Sequence, residues 1–180
     1  DSGRTLVQIT DNGSGMSATD ARMCFEKHAT SKIDTPEDLF KLSTLGFRGE
    51  ALASIAAISH VEMKTKTADE VLGTQIIIEG SQFKSQENCS TPAGTSFSVK
   101  NLFYNVPARR NFLKSNPAEL RHIIEEFQRV VLVNPEVSFT FYNNGSMLYQ
   151  LKSAPLKLRI AQMIGQKNYE EKLVPIGEQT

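Results

Sequence analysis

The run Thr5-Leu6-Val7-Gln8-Ile9-Thr10 leads without a break into Asp11-Asn12-Gly13-Ser14-Gly15-Met16. This junction restricts the fold more than any other stretch. The run is rich in β-branched residues and reads as a strand. Side chains alternate along a strand, so Val7, Ile9 and Asp11 share one face. Two apolar residues aimed at a core are therefore followed, on the same side, by a carboxylate. A buried charge without a partner is costly, so an acid ending a buried face calls for one. Gly13 and Gly15 open the backbone immediately beyond it. Taken alone, Asp11-Asn12-Gly13 reads as a tight turn, because Asn-Gly and Asp-Gly pairs favour hairpin turns. The rest of the chain decides between a turn and a binding site.

The chain has 180 residues, 39% hydrophobic and 22% charged. That composition suits one globular domain, or one domain and the start of another, and excludes a disordered chain or a coiled coil. Lys+Arg and Asp+Glu both number 20, so no global field draws in nucleic acid, and any DNA contact must come from a local patch. Cys24 and Cys89 fit no Cys-x-x-Cys or zinc spacing and read as reduced structural thiols. No apolar run reaches membrane length and no signal-peptide pattern is present. Asp1-Ser2-Gly3-Arg4 reads as a turn ahead of a strand, with no initiator Met. The expectation is a chain that begins inside a domain.

Ser17-Ala18-Thr19-Asp20 can start a short helix reaching about Glu26. Thr35-Pro36-Glu37-Asp38 carries a hydroxyl cap, a Pro in the first turn and two acids, which predicts another short helix. Glu50 to Ser59 is Ala-rich, with Leu52, Ile55 and Ile58, and predicts a buried helix. The period then changes to two. Val61, Met63 and Thr65 alternate with Glu62, Lys64 and Lys66. Further strands are expected over 73–79, 82–85 and 95–99. Asn116-Pro117-Ala118-Glu119 resembles a capping box, and Leu120, Ile123, Ile124, Phe127, Val130 and Val131 then follow helical spacing up to Asn134-Pro135. This amphipathic helix should lie on a sheet. A hairpin turning at Asn144-Gly145 follows, then a helix from Leu156 to Ile164, and a possible strand from Lys172. The fold class expected is α+β, a two-layer sandwich of helices on a mostly antiparallel sheet. A boundary is placed near 152–156, dividing residues 1–154 from 155–180.

The strongest chemical signal lies between residues 29 and 52. Gly46 and Gly49 bracket Phe47-Arg48 just before a helix, and amides at a helix start reached through glycines form an anion site. Arg48 and Lys32 add positive charge, and Thr30 and Ser31 add hydroxyls. On its own this could be an ordinary surface loop. Set beside Asp11 and Gly94-Thr95, it suits adenine at one end and phosphates at the other. A carboxylate accepts from an exocyclic amine in a charge-assisted bond of about 1.5–3 kcal/mol, and it opposes the carbonyl that guanine carries there. No P-loop and no Gly-x-Gly-x-x-Gly pattern is present. His28, His60 and His122 are scattered and lack metal-site spacing.

Four strings, in order, resemble the MutL family of DNA mismatch repair proteins over essentially the whole chain. They are Asp11-Asn12-Gly13-Ser14-Gly15-Met16, Ala29-Thr30-Ser31-Lys32-Ile33, Gly46-Phe47-Arg48-Gly49-Glu50-Ala51-Leu52 and Leu102-Phe103-Tyr104-Asn105-Val106-Pro107-Ala108-Arg109-Arg110. The first is shared with other ATPases of the GHKL superfamily, such as gyrase B subunits, heat-shock chaperones and histidine kinases. The second and third are specific to the MutL branch. The resemblance implies a GHKL ATPase fold lacking its first strand and helix, followed by a connector and the start of a transducer domain.

The resemblance also implies residue roles. Asp11 would bind the adenine amine, directly and through water, with Gly15 and Met16 lining the base pocket, Gly13 among the ATP-binding residues, and Thr95, after Gly94, supporting the Asp11 end. Thr30, Ser31 and Lys32 would lie on an ATP lid. Gly46, Phe47, Arg48, Gly49, Glu50, Ala51 and Leu52 would surround the phosphates. The family's general base is a Glu, with a magnesium-binding Asn four residues on, both upstream of the Asp-x-Gly-x-Gly element. They are expected to precede Asp1, so these residues alone should not hydrolyse ATP. The cofactors implied are ATP and Mg2+. The partners implied are a second copy in a homodimer, the mismatch-recognition protein MutS, DNA and a downstream helicase or endonuclease, with no membrane. The location implied is the bacterial cytoplasm, or the nucleus in a eukaryote. Arg109, Arg110, Lys114 and Arg121 form a local basic cluster. Charge alone favours a solvated face for these four, and the family's DNA binding makes them candidate DNA contacts. The alternative reading of the chain is an interaction module that keeps the fold without the chemistry.

Overall fold

The computed structural model describes residues 1–27 and 49–165. The helix expected from Thr35 and the strand expected from Lys172 lie outside them. The described residues form two compact units, Gly3–Leu113 and Lys114 onward together with Asp1–Ser2. The boundary placed near 152–156 remains a proposal.

The first unit is built on a five-stranded antiparallel sheet of β1 (Leu6–Asp11), β2 (His60–Lys66), β3 (Gly73–Glu79), β4 (Gln82–Cys89) and β5 (Gly94–Lys100), in the order β1-β5-β2-β3-β4. Register explains its two faces. Residues paired across antiparallel strands point the same way. One rung of side chains runs Val7, Val99, Val61, Ile78, Phe83. The next on that face runs Ile9, Phe97, Met63, Ile76, Gln86. Helices α1 (Ala18–Met23) and α2 (Ala51–Ala57) pack against β2 and β3. Val61, Met63, Ile76 and Ile78 are buried with Ala21 and Ala56 to form the core, and full burial of one such large side chain contributes about 1.5–3 kcal/mol.

The other face is polar. Glu62 meets Lys100 at 2.7 Å and Lys64 at 3.3 Å. A helix α3 (Pro107–Asn111) ends the unit. It is one short turn and a half, too brief for periodicity to reveal.

Two expectations need correcting. Val7, Ile9 and Asp11 do share the core face, but Ile9 is 65% exposed, Val7 half-buried and Asp11 exposed. Among the described residues β1 is the edge strand, paired only with β5, and α1 and α2 cover β2 and β3 instead. α2 is not a buried helix either. Only Ala56 is buried, and Ala51 and Ser54 are exposed.

The second unit holds α4 (Asn116–Val133), a hairpin of β6 (Phe139–Asn143) and β7 (Ser146–Leu151), and α5 (Leu156–Ile164). As its spacing predicts, α4 lies on strands. Phe127 sits 4.9 Å from Phe141 and 5.5 Å from Tyr149, centroid to centroid. The capping-box expectation fails in detail. The cap is Ser115, whose side chain makes no cap bond, while Glu119 accepts from the Lys114 amide at 2.7 Å. Arg159 of α5 is fully buried. Its Nη2 donates to the carbonyls of Pro135, Val137 and Lys152 at 2.8, 2.5 and 3.3 Å. One guanidinium nitrogen thus gathers the α4–β6 turn and the end of β7 onto α5.

Candidate functional site

The third rung of the core face carries the site. It runs Asp11, Thr95, Thr65, Thr74, Asn88 across all five strands. Two rungs that are apolar except at Gln86 give way to an entirely polar one at the end where β1 stops. Hairpin and crossover topology makes this rung, since its members come from five separate stretches.

Asp11 is held by two backbone amides. Its Oδ1 accepts from Gly13 at 2.9 Å and from Thr95 at 3.2 Å. Its Oδ2 has no protein donor among the described residues, and the side chain is exposed. Next to it the Thr95 hydroxyl meets that of Thr65 at 3.0 Å. Thr65 is fully buried and also bonds the Gly94 carbonyl at 3.1 Å and the Met16 amide at 3.0 Å.

The glycines close the arrangement by contact. Gly94 has φ +112, and a Cβ there would stand 2.2 Å from the Asp11 carbonyl oxygen. Gly15 has φ +69, and a Cβ there would stand 1.9 Å from the Lys66 carbonyl oxygen. Both positions need the left-handed region and a bare Cα. The loop after Asp11 is therefore pressed onto the end of β2, and Met16 also packs against the core.

Asp11, Gly13, Gly15, Met16, Gly94 and Thr95 are thus brought together, as expected. Gly49 has φ +64 and immediately precedes Glu50, the N-cap residue of α2. Ala51 and Leu52 form the first turn of α2. Thr30, Ser31, Lys32, Gly46, Phe47 and Arg48 lie outside the described residues. Of the basic cluster, Arg109 and Arg110 are exposed on α3 in the first unit, and Lys114 and Arg121 are exposed in the second.

Thr65 is the residue the sequence reading missed. Its signal was present: a hydroxyl follows Val61 and Met63 on the inward face of β2, where it must find partners. Among the described residues no group of three or more His, Cys, Asp or Glu could hold a metal. No described helix is long and apolar enough to cross a membrane. Chemically, the Asp11 end offers a charged acceptor held rigid through one oxygen and open at the other. That arrangement fits a donor on a ligand.

The chain is similar over all of its 180 residues to proteins named DNA mismatch repair protein MutL. It is 61% identical to that of Flavobacterium johnsoniae and 63% identical to that of Flavobacterium psychrophilum, covering 28% and 29% of those proteins. Over its whole length the chain is thus similar to one part of MutL proteins. No protein-family model matches the chain. Among solved structures, the MutL ATPase domain of Aquifex aeolicus complexed with ADP is 30% identical, with a TM-score of 0.68, over 88% of this chain and 56% of that one. The antiparallel sheet with helices makes this an α+β fold that matches the MutL ATPase-domain structure. The chain spans under a third of the length of the MutL proteins it matches.

Proposed function

We propose that these residues are the ATP-binding region of a MutL-type DNA mismatch repair protein. The observation that carries the proposal is Asp11: Oδ1 is fixed by two amides and Oδ2 is open, at the polar end of a MutL sheet. An exocyclic amine donates to such an oxygen, and a charge-assisted bond of this kind contributes about 1.5–3 kcal/mol. Gly49 at the start of α2, with Arg48 and Lys32, supplies the phosphate end. The whole protein is an ATPase that requires Mg2+. ATP orders a lid bearing Thr30, Ser31 and Lys32 and favours closure of two copies, an order–disorder switch. That cycle couples mismatch recognition by a MutS protein to nicking and excision on DNA by an endonuclease or helicase. It operates in the bacterial cytoplasm, or in the nucleus of a eukaryote.

In the full-length protein, Asp11→Asn replaces an acceptor by an amide and should abolish ATP binding, measured by calorimetry. Unchanged affinity would remove the adenine role. Arg109, Arg110, Lys114 and Arg121 contact DNA phosphates as a secondary role. Affinity should then fall steeply as salt rises, and a flat salt dependence would count against these contacts.

A further inference from the structure

We propose that Thr65 is a positioning residue for base recognition, acting by fixing the direction of the Thr95 hydroxyl. The inference rests on reading the Asp11 end as an adenine site. Thr65 Oγ1 has three partners: the Gly94 carbonyl at 3.1 Å, the Met16 amide at 3.0 Å and Thr95 Oγ1 at 3.0 Å. A hydroxyl has one proton and two lone pairs. A carbonyl oxygen can only accept, so the Thr65 proton goes to Gly94. An amide can only donate, so Met16 takes one lone pair. What is left on Thr65 is the second lone pair. Thr95 must therefore be the donor in the bond between the two threonines.

That assignment has a consequence on the other side of Thr95. Its proton is committed toward β2, so toward Asp11 it offers lone pairs only. Asp11 stands directly opposite Thr95 in the β1–β5 register, and its free Oδ2 is also an acceptor. The rung thus ends in two acceptors and no rotatable donor. An exocyclic amine has two N–H groups and satisfies such a pair. A carbonyl at the same place on the base meets only lone pairs and leaves them unsatisfied. Without the Thr65 hydroxyl, the Thr95 proton is released. It can then rotate and donate to a carbonyl, which relaxes the discrimination. The selectivity is set on β2, one strand beyond the residues that touch the base.

The test uses the full-length protein and three probes: a non-hydrolysable ATP analogue, its purine counterpart lacking the 6-amine, and the guanine counterpart. Thr65→Val keeps the shape and removes the hydroxyl. Its affinity for the ATP analogue should fall about tenfold, and its affinity for the amine-less analogue much less. Its preference for adenine over guanine should narrow. Thr65→Ser restores the hydroxyl and should restore both ratios. If Thr65→Val fails to fold, Thr65→Ala, which places no methyl against the Gly94 carbonyl, is read the same way. Wild-type ratios in the hydroxyl-free variants, or an equal loss for all three probes, would overturn the inference and leave Thr65 as packing. If the wild-type protein itself does not distinguish the ATP analogue from the amine-less one, the adenine reading falls, and the inference with it.

Discussion

Gly94→Ala tests the closure of the site more sharply than any change to its polar groups. The added Cβ meets the Asp11 carbonyl oxygen at 2.2 Å, the Asp11 carbonyl carbon at 3.0 Å and the Asn12 Cα at 2.9 Å. All three are backbone atoms, so no side chain can rotate away. The residue also holds φ +112, which costs an L side chain about 1–3 kcal/mol. Relief requires β1 to move off β5 by about an ångström at Asp11. That movement weakens the bond from the Thr95 amide to Asp11 Oδ1, worth about 1.5–3 kcal/mol for a charged acceptor. Together these give a destabilisation of about 2.5–6 kcal/mol. Gly145→Ala is the control, with φ +81 and nothing within 4 Å of its Cβ. It carries conformational cost alone, about 1–2 kcal/mol. Amide hydrogen exchange, read separately over β1–β5 and over β6–β7, gives both values. A full-length Gly94→Ala protein should also lose nucleotide affinity. If Gly94→Ala costs no more than Gly145→Ala, the close approach of β1 to Gly94 is wrong, and so is the argument that it shapes the site.

Arg159→Leu removes the donor shared by the carbonyls of Pro135, Val137 and Lys152 and should destabilise the second unit by about 2 kcal/mol. Faster exchange of the β6 and β7 amides is the readout, and wild-type protection there would sink the idea. The carboxyl of Glu62 is held below its ordinary value, chiefly by its hydrogen bond from Lys100 and more weakly by Lys64, with burial opposing. A carboxyl lowered by folding contributes stability that is complete above its unfolded pKa and disappears as pH falls through the folded one. Glu62→Gln should therefore be less stable than wild type near neutral pH, and the gap should close on acidification. Urea midpoints measured across that range would contradict this if the gap stayed constant.

The elements were legible because each is a local pattern. Alternation located β2 from Val61, Met63 and Thr65, and helical spacing from Leu120 to Val131 located α4. The shared face of Val7, Ile9 and Asp11 was also legible, since it follows from strand geometry alone. Its exposure was not, because whether Ile9 is covered depends on β1 taking the sheet edge while α1 and α2 settle over β2 and β3. Periodicity carries no record of strand order. The same gap hid Thr65. Its neighbours in the rung, Asp11, Thr95, Thr74 and Asn88, come from four other strands, and only register brings them into line. A carboxylate on an exposed edge also needs no buried partner, so burial is not what sets Asp11 apart. What distinguishes it is satisfaction of one oxygen and not the other. A turn aspartate would spend its carboxylate on its own loop, as Oδ1 does toward Gly13. Asp11 in addition takes the Thr95 amide from a strand 84 residues away, which fixes its direction relative to β5. An acceptor aimed rigidly through one oxygen and open to solvent at the other presents a fixed direction to an incoming donor, and that asymmetry argues for a ligand better than burial would have done.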